Sequence, residues 1–539
     1  MVNRLEVYEY SIESLRKLIA DKSGSSEDVI GKKPHHHYFK GYCDFIGVKT
    51  IVVENDYIDH DFLEDFSAYY VRCFSQYRRF CTRLHFFNIK FTQDDFEKHL
   101  KSSADAAISR GGLQEGYLGF VVVKPLPLTV IGRTCLKTYP TENRRCFPIV
   151  RSYTANLFGA ELTVDSLAFQ EQDHVVAACA TSALWSVFQG TSIRFQHTIP
   201  SPVEITRAAT ERSSIETRIL PSRGLSAAMM AHAIRNVGLE PYLVNVSNKY
   251  NEHILKSTVY AYLRGGIPMI LGIELWDISG DKHKSIGFHA VAVTGFSLGG
   301  NAPIPIGDTR FSLTASKVDK LYVHDDQVGP FARMEFDGIK IVLGKDALDK
   351  QVSLNSLSTS WIGGNNTRSV RACPTILLIP LYNKIRIPYG VIHDTIVSFD
   401  SFFESLRESL PSPFDGRIEW DIYLTTNNKL KTELLETEIV RGDYRRNILL
   451  EGMPRFLWRA TARHRDTPLM DLLFDATDIE QGPFFVRAIE YDSSLSLFLR
   501  VVSKVDAIEQ RCRAGTAWKI IQWFKQQPIP ELGGQENNG

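Results

Sequence analysis

The chain has 539 residues, 44% hydrophobic and 23% charged, and its 62 Lys and Arg residues balance 62 Asp and Glu residues. This length exceeds one hydrophobic core and predicts two to four domains of ordinary globular composition. The absence of a basic excess argues against a nucleic-acid partner, and no apolar run approaches the roughly 20 residues that span a bilayer.

The first segment, residues 1–165, is predicted to be an N-terminal α+β domain of unknown role. It opens with the pattern of a strand and an amphipathic helix and lacks the apolar core of a signal peptide, so we expect a cytoplasmic protein. A helical stretch is predicted around the whole segment DFLEDFSAYYVRCFSQYRRFCTRL, and strand character in GYLGFVVVKPLPLTVIGRTCL is interrupted by prolines. The adjacent histidines His35–His37 lack the offsets of zinc ligands and indicate a solvated loop.

The second segment, residues 166–385, is predicted to begin with a helix at Cys179. A second helix, a short strand, a third helix and a run of further strands follow. A leading helix followed by a late antiparallel sheet is an α+β arrangement, with a central helix packed on the sheet.

The third segment, residues 386–539, is predicted to be a C-terminal α+β domain with a binding or regulatory role. Eight cysteines in the whole chain are too sparse for a disulfide framework, and most are expected to be buried and reduced. Cys512 in this segment is one of them.

Three residues in the second segment have the types and order of a nucleophilic site. Cys179 stands near a predicted helix start, His289 opens the strand HAVAVTGF, and Asp325 ends the strand LYVHD. A thiolate attacks well, a neighbouring imidazolium stabilises it and protonates the leaving group, and a carboxylate orients the imidazole. For an oxyanion donor, the backbone N–H of Cys179 and the side chain of Gln172 are the candidates.

Two assignments stay open at this point. Asp173 could cap a helix beginning at His174, which would place Cys179 in mid-helix and remove most of the helix-dipole effect. The neighbours His324 and Asp326 could replace Asp325 as the partner of the imidazole.

The ordered segments CATSALWSVFQ, GLSAAMMAHAIRNVGLEPYLV, GGIPMILGIEL, GFHAVAVTGF and LYVHDD resemble the papain-like cysteine peptidases. The group most similar is the bacterial peptidases that remove double-glycine leader peptides. The resemblance implies Cys179 as nucleophile, His289 as base and Asp325 as orienting acid. Ala180 replaces the family's Gly after the Cys, and Asp173 occupies the position of the family's oxyanion Gln. His324-Asp325-Asp326 replaces its Asn-Asp-Pro.

The expected function is therefore cleavage of a specific protein or peptide by an intracellular cysteine peptidase, as in a bacterial stress or defence response. Acyl transfer of the transglutaminase type on the same triad is one alternative, and an inactive peptidase-fold scaffold is another. A regulatory protein partner fits the two flanking segments. The sequence contains no metal-site or phosphate-loop motif, so we expect no cofactor and no metal.

Overall fold

The protein is described here by a computed structural model. It describes residues 5–101, 110–173, 175–211, 220, 222, 224–247, 251–280, 283–300, 311–345, 351–361, 369–411, 415–479, 484–506 and 517–528.

The chain divides into two compact units, each discontinuous in sequence. The first unit comprises residues 1–252, 266–298 and 319–382, and the second comprises residues 253–265, 299–318 and 383–539. Both units combine helices with sheets, so the predicted α+β class is confirmed at this level. No helix among the described residues has both the length and the apolar character needed to cross a lipid bilayer.

An antiparallel five-stranded sheet forms the first part of the first unit, with strands in sequence order. Its strands are β1 (Leu5–Glu9), β2 (Thr50–Tyr57), β3 (Cys81–Phe87), β4 (Tyr117–Val123) and β5 (Ile131–Leu136). The accompanying helices are α1 (Ile12–Ser23), α2 (Glu27–Lys32), α3 (Pro34–Ile46), α4 (His60–Ala68), α5 (Gln93–Lys101) and α6 (Arg110–Gly116).

Two predictions for this part are wrong. The solvated loop at His35–His37 is the first turn of α3, where Pro34 occupies the first helical position and His35 is buried. The long helix predicted after residue 60 ends at Ala68, and its last residues belong to β3 instead.

The second part of the first unit contains the predicted central helix and late sheet. Its helices are α7 (Cys179–Phe195), α8 (Pro202–Thr210) and α9 (Ala227–Asn236), and α10 (Asn251–Arg264) follows. Its strands are β6 (Arg145–Cys146), β7 (Arg151–Leu157), β8 (Ala160–Ser166), β9 (Leu239–Asn245), β10 (Met269–Asp277), β11 (Lys284–Leu298), β13 (Val318–Asp325), β14 (Gly329–Glu335), β15 (Lys340–Lys345), β16 (Gln351–Asn355), β17 (Leu357–Ser358) and β18 (Val370–Tyr382), and the short strand β12 (Ser312–Leu313) interrupts this series.

Six strands of this part close on themselves in the order β10-β11-β13-β14-β17-β18, because β18 also pairs with β10. This arrangement places β11 beside both β10 and β13. A residue in the middle of β11 therefore lies next to the end of β13.

Helix α7 packs against β10 and β11 and is buried on all sides. The large apolar side chains of Leu184, Trp185 and Phe188 in α7 are fully buried, as expected of a core helix. They share one hydrophobic cluster with Val52 of β2 and Ala292 of β11. The N-terminal sheet and the central helix thus have a common core.

The second unit is built on a five-stranded sheet in the order β12, β19 (Glu419–Thr426), β20 (Phe456–His464), β21 (Thr467–Asp475) and β22 (Phe485–Glu490). Its further helices are α11 (Tyr389–Ser409), α12 (Asn427–Glu436), α13 (Gly442–Leu450), α14 (Ser493–Val502) and α15 (Trp518–Gln526).

The turn between β13 and β14 is packed closely against α3. A Cβ atom on Gly329 would lie 2.3 Å from Cδ1 of Tyr38, and Gly329 has a φ of +154°. We expect Gly329→Ala to lower the free energy of unfolding by about 1–3 kcal/mol, as overpacked sites do. The urea midpoint measures this change.

Gly41→Ala is the matched control, because Gly41 lies in α3 with no atom within 4 Å of its would-be Cβ. Alanine favours a helix, so this variant should be neutral or slightly stabilised. Equal midpoints for Gly329→Ala and the wild type would contradict the close packing of Tyr38.

Candidate active site

Cys179 is the first residue of α7, so the helix start left open by the sequence lies at the thiol. Asp173 instead closes a separate turn before the helix, where its Oδ1 accepts the backbone N–H groups of Val175 and Val176. The N-cap residue is Ala178, which has no polar side chain to occupy the first N–H groups of α7. Cys179 is half-buried, and the positive end of the helix dipole lies at its thiol.

His289 lies within β11, opposite Ile273 of β10, and the strand begins five residues before it rather than at it. Its Nε2 atom is 3.0 Å from Oδ1 of Asp325, so Nδ1 is not engaged by this carboxylate, and the Cys179 thiol is a neighbour that interacts with the imidazole. Burial opposes the charged imidazolium, but the Asp325 and Asp326 carboxylates and the Cys179 thiol raise the pKa of His289 well above its usual range. The imidazolium is thus favoured beside the thiol.

Asp325 is the last residue of β13, is buried, and contacts three hydrogen-bond donors. Its Oδ1 accepts from His289 and from the Gln327 backbone N–H at 3.1 Å, and its Oδ2 accepts from the Trp361 indole N–H at 2.6 Å. Burial opposes ionisation, but the His289 charge and these donors lower the pKa of Asp325. The residue is therefore held as an anion.

The two sequence neighbours of Asp325 have different environments. Oδ1 of Asp326 lies 3.6 Å from Nε2 of His289, beyond hydrogen-bond distance. Burial and the Asp325 charge raise the pKa of Asp326 to about 6, although His289 acts in the opposite direction. His324 packs between Phe169 and Phe331, and burial lowers its pKa to about 3. The geometry therefore favours Asp325 as the partner of His289.

Trp361 is a site residue that sequence reasoning missed. Its ring stands edge-on to His289, with centroids 5.4 Å apart and an interplanar angle of 80°, while its N–H binds Asp325. It covers the His289–Asp325 pair with an apolar ring and so shields the pair from water. No sequence spacing indicates Trp361, because its position depends on β17 pairing beside β14.

Gln172 and Asp173 differ in what they offer an oxyanion. Oε1 of Gln172 accepts a hydrogen bond from Gln327 at 3.4 Å, and this contact leaves the amide NH₂ of Gln172 available to donate. The Asp173 carboxylate accepts the Tyr70 hydroxyl and two backbone N–H groups, so it is an acceptor and does not stabilise an anion. Between these two residues, only Gln172 has the chemistry of an oxyanion donor.

His289, Asp325 and Asp326 bring one ligand atom each within 4.8 Å of one another and form a group that is able to hold a cation. Trp361 and Gln327, however, direct N–H donors at the Asp325 oxygens. Donors around a carboxylate suit an anion paired with an imidazolium better than an anion bound to a metal.

The remaining described cysteines provide a contrast with Cys179, and none of the seven forms a disulfide. Burial raises the pKa of Cys43, Cys135 and Cys373 to about 12 and also raises that of Cys81. Cys73 and Cys146 are half-buried, like Cys179. Cys512 lies outside the described residues.

Neither the models of known protein families nor the curated proteins match this chain.

Proposed function

We propose that this chain is a cysteine peptidase in which Cys179 is the nucleophile, His289 the general acid and base, and Asp325 the orienting acid. One observation carries the proposal: a half-buried thiol at a helix start is a neighbour of a buried histidine, and a buried carboxylate holds that histidine by a 3.0 Å contact. A packing cysteine needs none of these partners.

The chemistry follows from the positions of the three groups. The Cys179 thiolate attacks the peptide carbonyl carbon, and the C–S bond forms as the carbonyl oxygen becomes an oxyanion. The Cys179 backbone N–H and the Gln172 amide are the proposed donors to this oxygen. The C–N bond then breaks, and the His289 imidazolium gives its proton to the leaving amine nitrogen.

The second half of the reaction restores the enzyme. Neutral His289 takes a proton from water, and the water oxygen attacks the thioester carbon. The C–S bond breaks, the acid product leaves, and the thiolate and imidazolium are regenerated. Asp325 keeps its charge throughout and stabilises the imidazolium at both stages.

The papain-like class is part of the proposal. The support is the order of a central helix headed by Cys179, then a histidine strand, then an acid-bearing strand in one sheet. The cytoplasmic location, the protein or peptide substrate and the regulatory partner remain predictions from the sequence.

The first experiment needs no substrate. Iodoacetamide alkylation is followed from pH 5 to pH 9, with each cysteine quantified separately by mass spectrometry. Cys179 should react rapidly below pH 7, and the half-buried Cys73 and Cys146 in the same sample serve as internal controls.

If Cys179 follows the same pH curve as Cys73 and Cys146, its thiol is not activated. That outcome would refute both the peptidase and the acyltransferase hypotheses and would leave the inactive peptidase-fold scaffold as the remaining hypothesis. If Cys179 is activated, the fate of its acyl-enzyme in water and in added amine separates hydrolysis from acyl transfer.

A further inference from the structure

A cavity of about 290 Å³ lies beside the acid-bearing turn in the first unit. Its lining includes Tyr38 of α3, Arg333 of β14, and Ser358 and Ser360 at β17 and just after it. This volume is at the lower end of the range for small-molecule pockets.

Arg333 gives the cavity a positive charge. Its guanidinium lies 4.6 Å from the centre of the Tyr139 ring, and no carboxylate of a described residue is within ion-pairing distance of it. Glu335 also lines the cavity, but it pairs with Lys320 at 2.7 Å. A guanidinium that packs against an aromatic ring and has no carboxylate partner keeps most of its donors available for a planar or tetrahedral anion.

Hydroxyl groups and aromatic surface complete the lining. The side-chain hydroxyls of Ser358 and Ser360 have no hydrogen-bond partner in the part of the chain that is described. The Tyr38 and Tyr42 hydroxyls, in contrast, donate to backbone carbonyls of the protein. These two tyrosines therefore present aromatic ring surface to a ligand, whereas the two serines present hydroxyl donors.

One border of the cavity leads directly to the catalytic acid. Ser360 precedes Trp361, whose backbone N–H donates to Oγ1 of Thr359 at 3.2 Å. The Trp361 indole in turn donates to Asp325 at 2.6 Å. A ligand that shifts residues 358–360 would therefore shift Trp361 against the His289–Asp325 pair.

The other border leads to the same acids through α3. Tyr38 packs on Gly329 and donates to the carbonyl of Pro330. His35, one turn earlier, has its Nε2 2.8 Å from the backbone oxygen of Asp326. The β13–β14 turn that carries Asp325 and Asp326 is thus fastened to the helix that lines the cavity.

We propose that this cavity binds a small ligand that carries a phosphate or carboxylate group on an aromatic or apolar body. Its occupancy changes the reactivity of Cys179 through Trp361 and the β13–β14 turn. The binding stands independently of the peptidase, whereas the effect on Cys179 rests on the proposed function.

Binding is tested by isothermal titration calorimetry with phenyl phosphate, benzoate and phenol. Phenyl phosphate or benzoate should bind the wild type, Arg333→Met should weaken that binding at least tenfold, and Ser360→Ala should weaken it a few-fold. Arg144→Met is the matched control, since Arg144 pairs with Asp319 and does not line the cavity. Arg144→Met should bind the anions as the wild type does. Comparing phenyl phosphate with benzoate shows whether the cavity prefers a phosphate or a carboxylate.

Coupling is tested by the alkylation rate of Cys179 at pH 6 with and without a saturating concentration of the anion that binds. We expect a change of at least threefold in the wild type and none in Arg333→Met. Absence of anion binding up to 10 mM, equal binding by Arg333→Met, or equal binding of phenol would overturn the anion site. Binding without any change at an activated Cys179 would overturn the coupling. If Cys179 has the reactivity of an ordinary thiol, the peptidase proposal and the proposed coupling are both refuted. The calorimetry then still tests whether the cavity binds an anion.

Discussion

Replacing His289 with alanine is expected to slow the alkylation of Cys179 at pH 6 by about 100-fold. Without the neighbouring His289 imidazolium, the Cys179 thiol should have the reactivity of an ordinary cysteine. A thiol with a pKa near 8.5 is only about 0.3% thiolate at pH 6. The greater nucleophilicity of the more basic thiolate offsets part of this loss.

The rate constant is obtained from site-resolved mass spectrometry of iodoacetamide labelling. His283→Ala is the matched control, because His283 is exposed and directly precedes β11. It should label at the wild-type rate. Equal labelling of Cys179 in His289→Ala and the wild type, with both proteins folded by circular dichroism, would refute the thiol–imidazole pair.

Replacing Asp325 with asparagine is expected to slow the alkylation of Cys179 at pH 5 by about tenfold. Burial lowers the pKa of His289, and the Asp325 charge is the largest of the effects that raise it. Asp325 also holds Nε2 at 3.0 Å and so orients the imidazole ring relative to the thiol, an orientation that the asparagine weakens. The imidazolium then supports the thiolate less, and the labelling curve moves to higher pH.

Asp326→Asn is the comparison that separates the two acids. Because burial raises the pKa of Asp326 to about 6, that carboxyl is already mostly neutral at pH 5. The substitution should therefore change the alkylation rate at pH 5 by less than twofold. It should affect that rate only above about pH 6, where the Asp326 carboxyl is mostly ionised. A larger effect at pH 5 from Asp326→Asn than from Asp325→Asn would mean that Asp326, and not Asp325, is the acid that acts on His289.

Much of the order of elements in the first unit could be predicted from sequence. The helix at Cys179, the strand containing His289 and the strand ending at Asp325 are all present. In these segments the apolar residues recur with the period of a helix or a strand, and local signals mark where each element ends. Both features depend only on residues close together in sequence.

The features that depend on distant parts of the chain were not predictable. The three histidines appeared polar and exposed in sequence, yet His35 is buried because the β13–β14 turn covers it. Trp361 has no local signal at all, since its two contacts are with residues of β11 and β13. The two possible helix starts near Cys179 had similar local preferences, and Asp173 closes a turn of its own instead.

The hydrogen bond between His35 and Asp326 joins positions 291 residues apart, and this separation governs when the site becomes complete during synthesis. At the usual ribosomal rate of about 5–20 residues per second, roughly 15–60 seconds pass between the appearance of the two residues. Cys179 is made about halfway through that interval, so for roughly 7–30 seconds it exists without the acid-bearing turn. A nascent chain therefore carries the Cys179 thiol before the turn with Asp325 and Asp326 exists, and the rate of translation sets how long that state lasts.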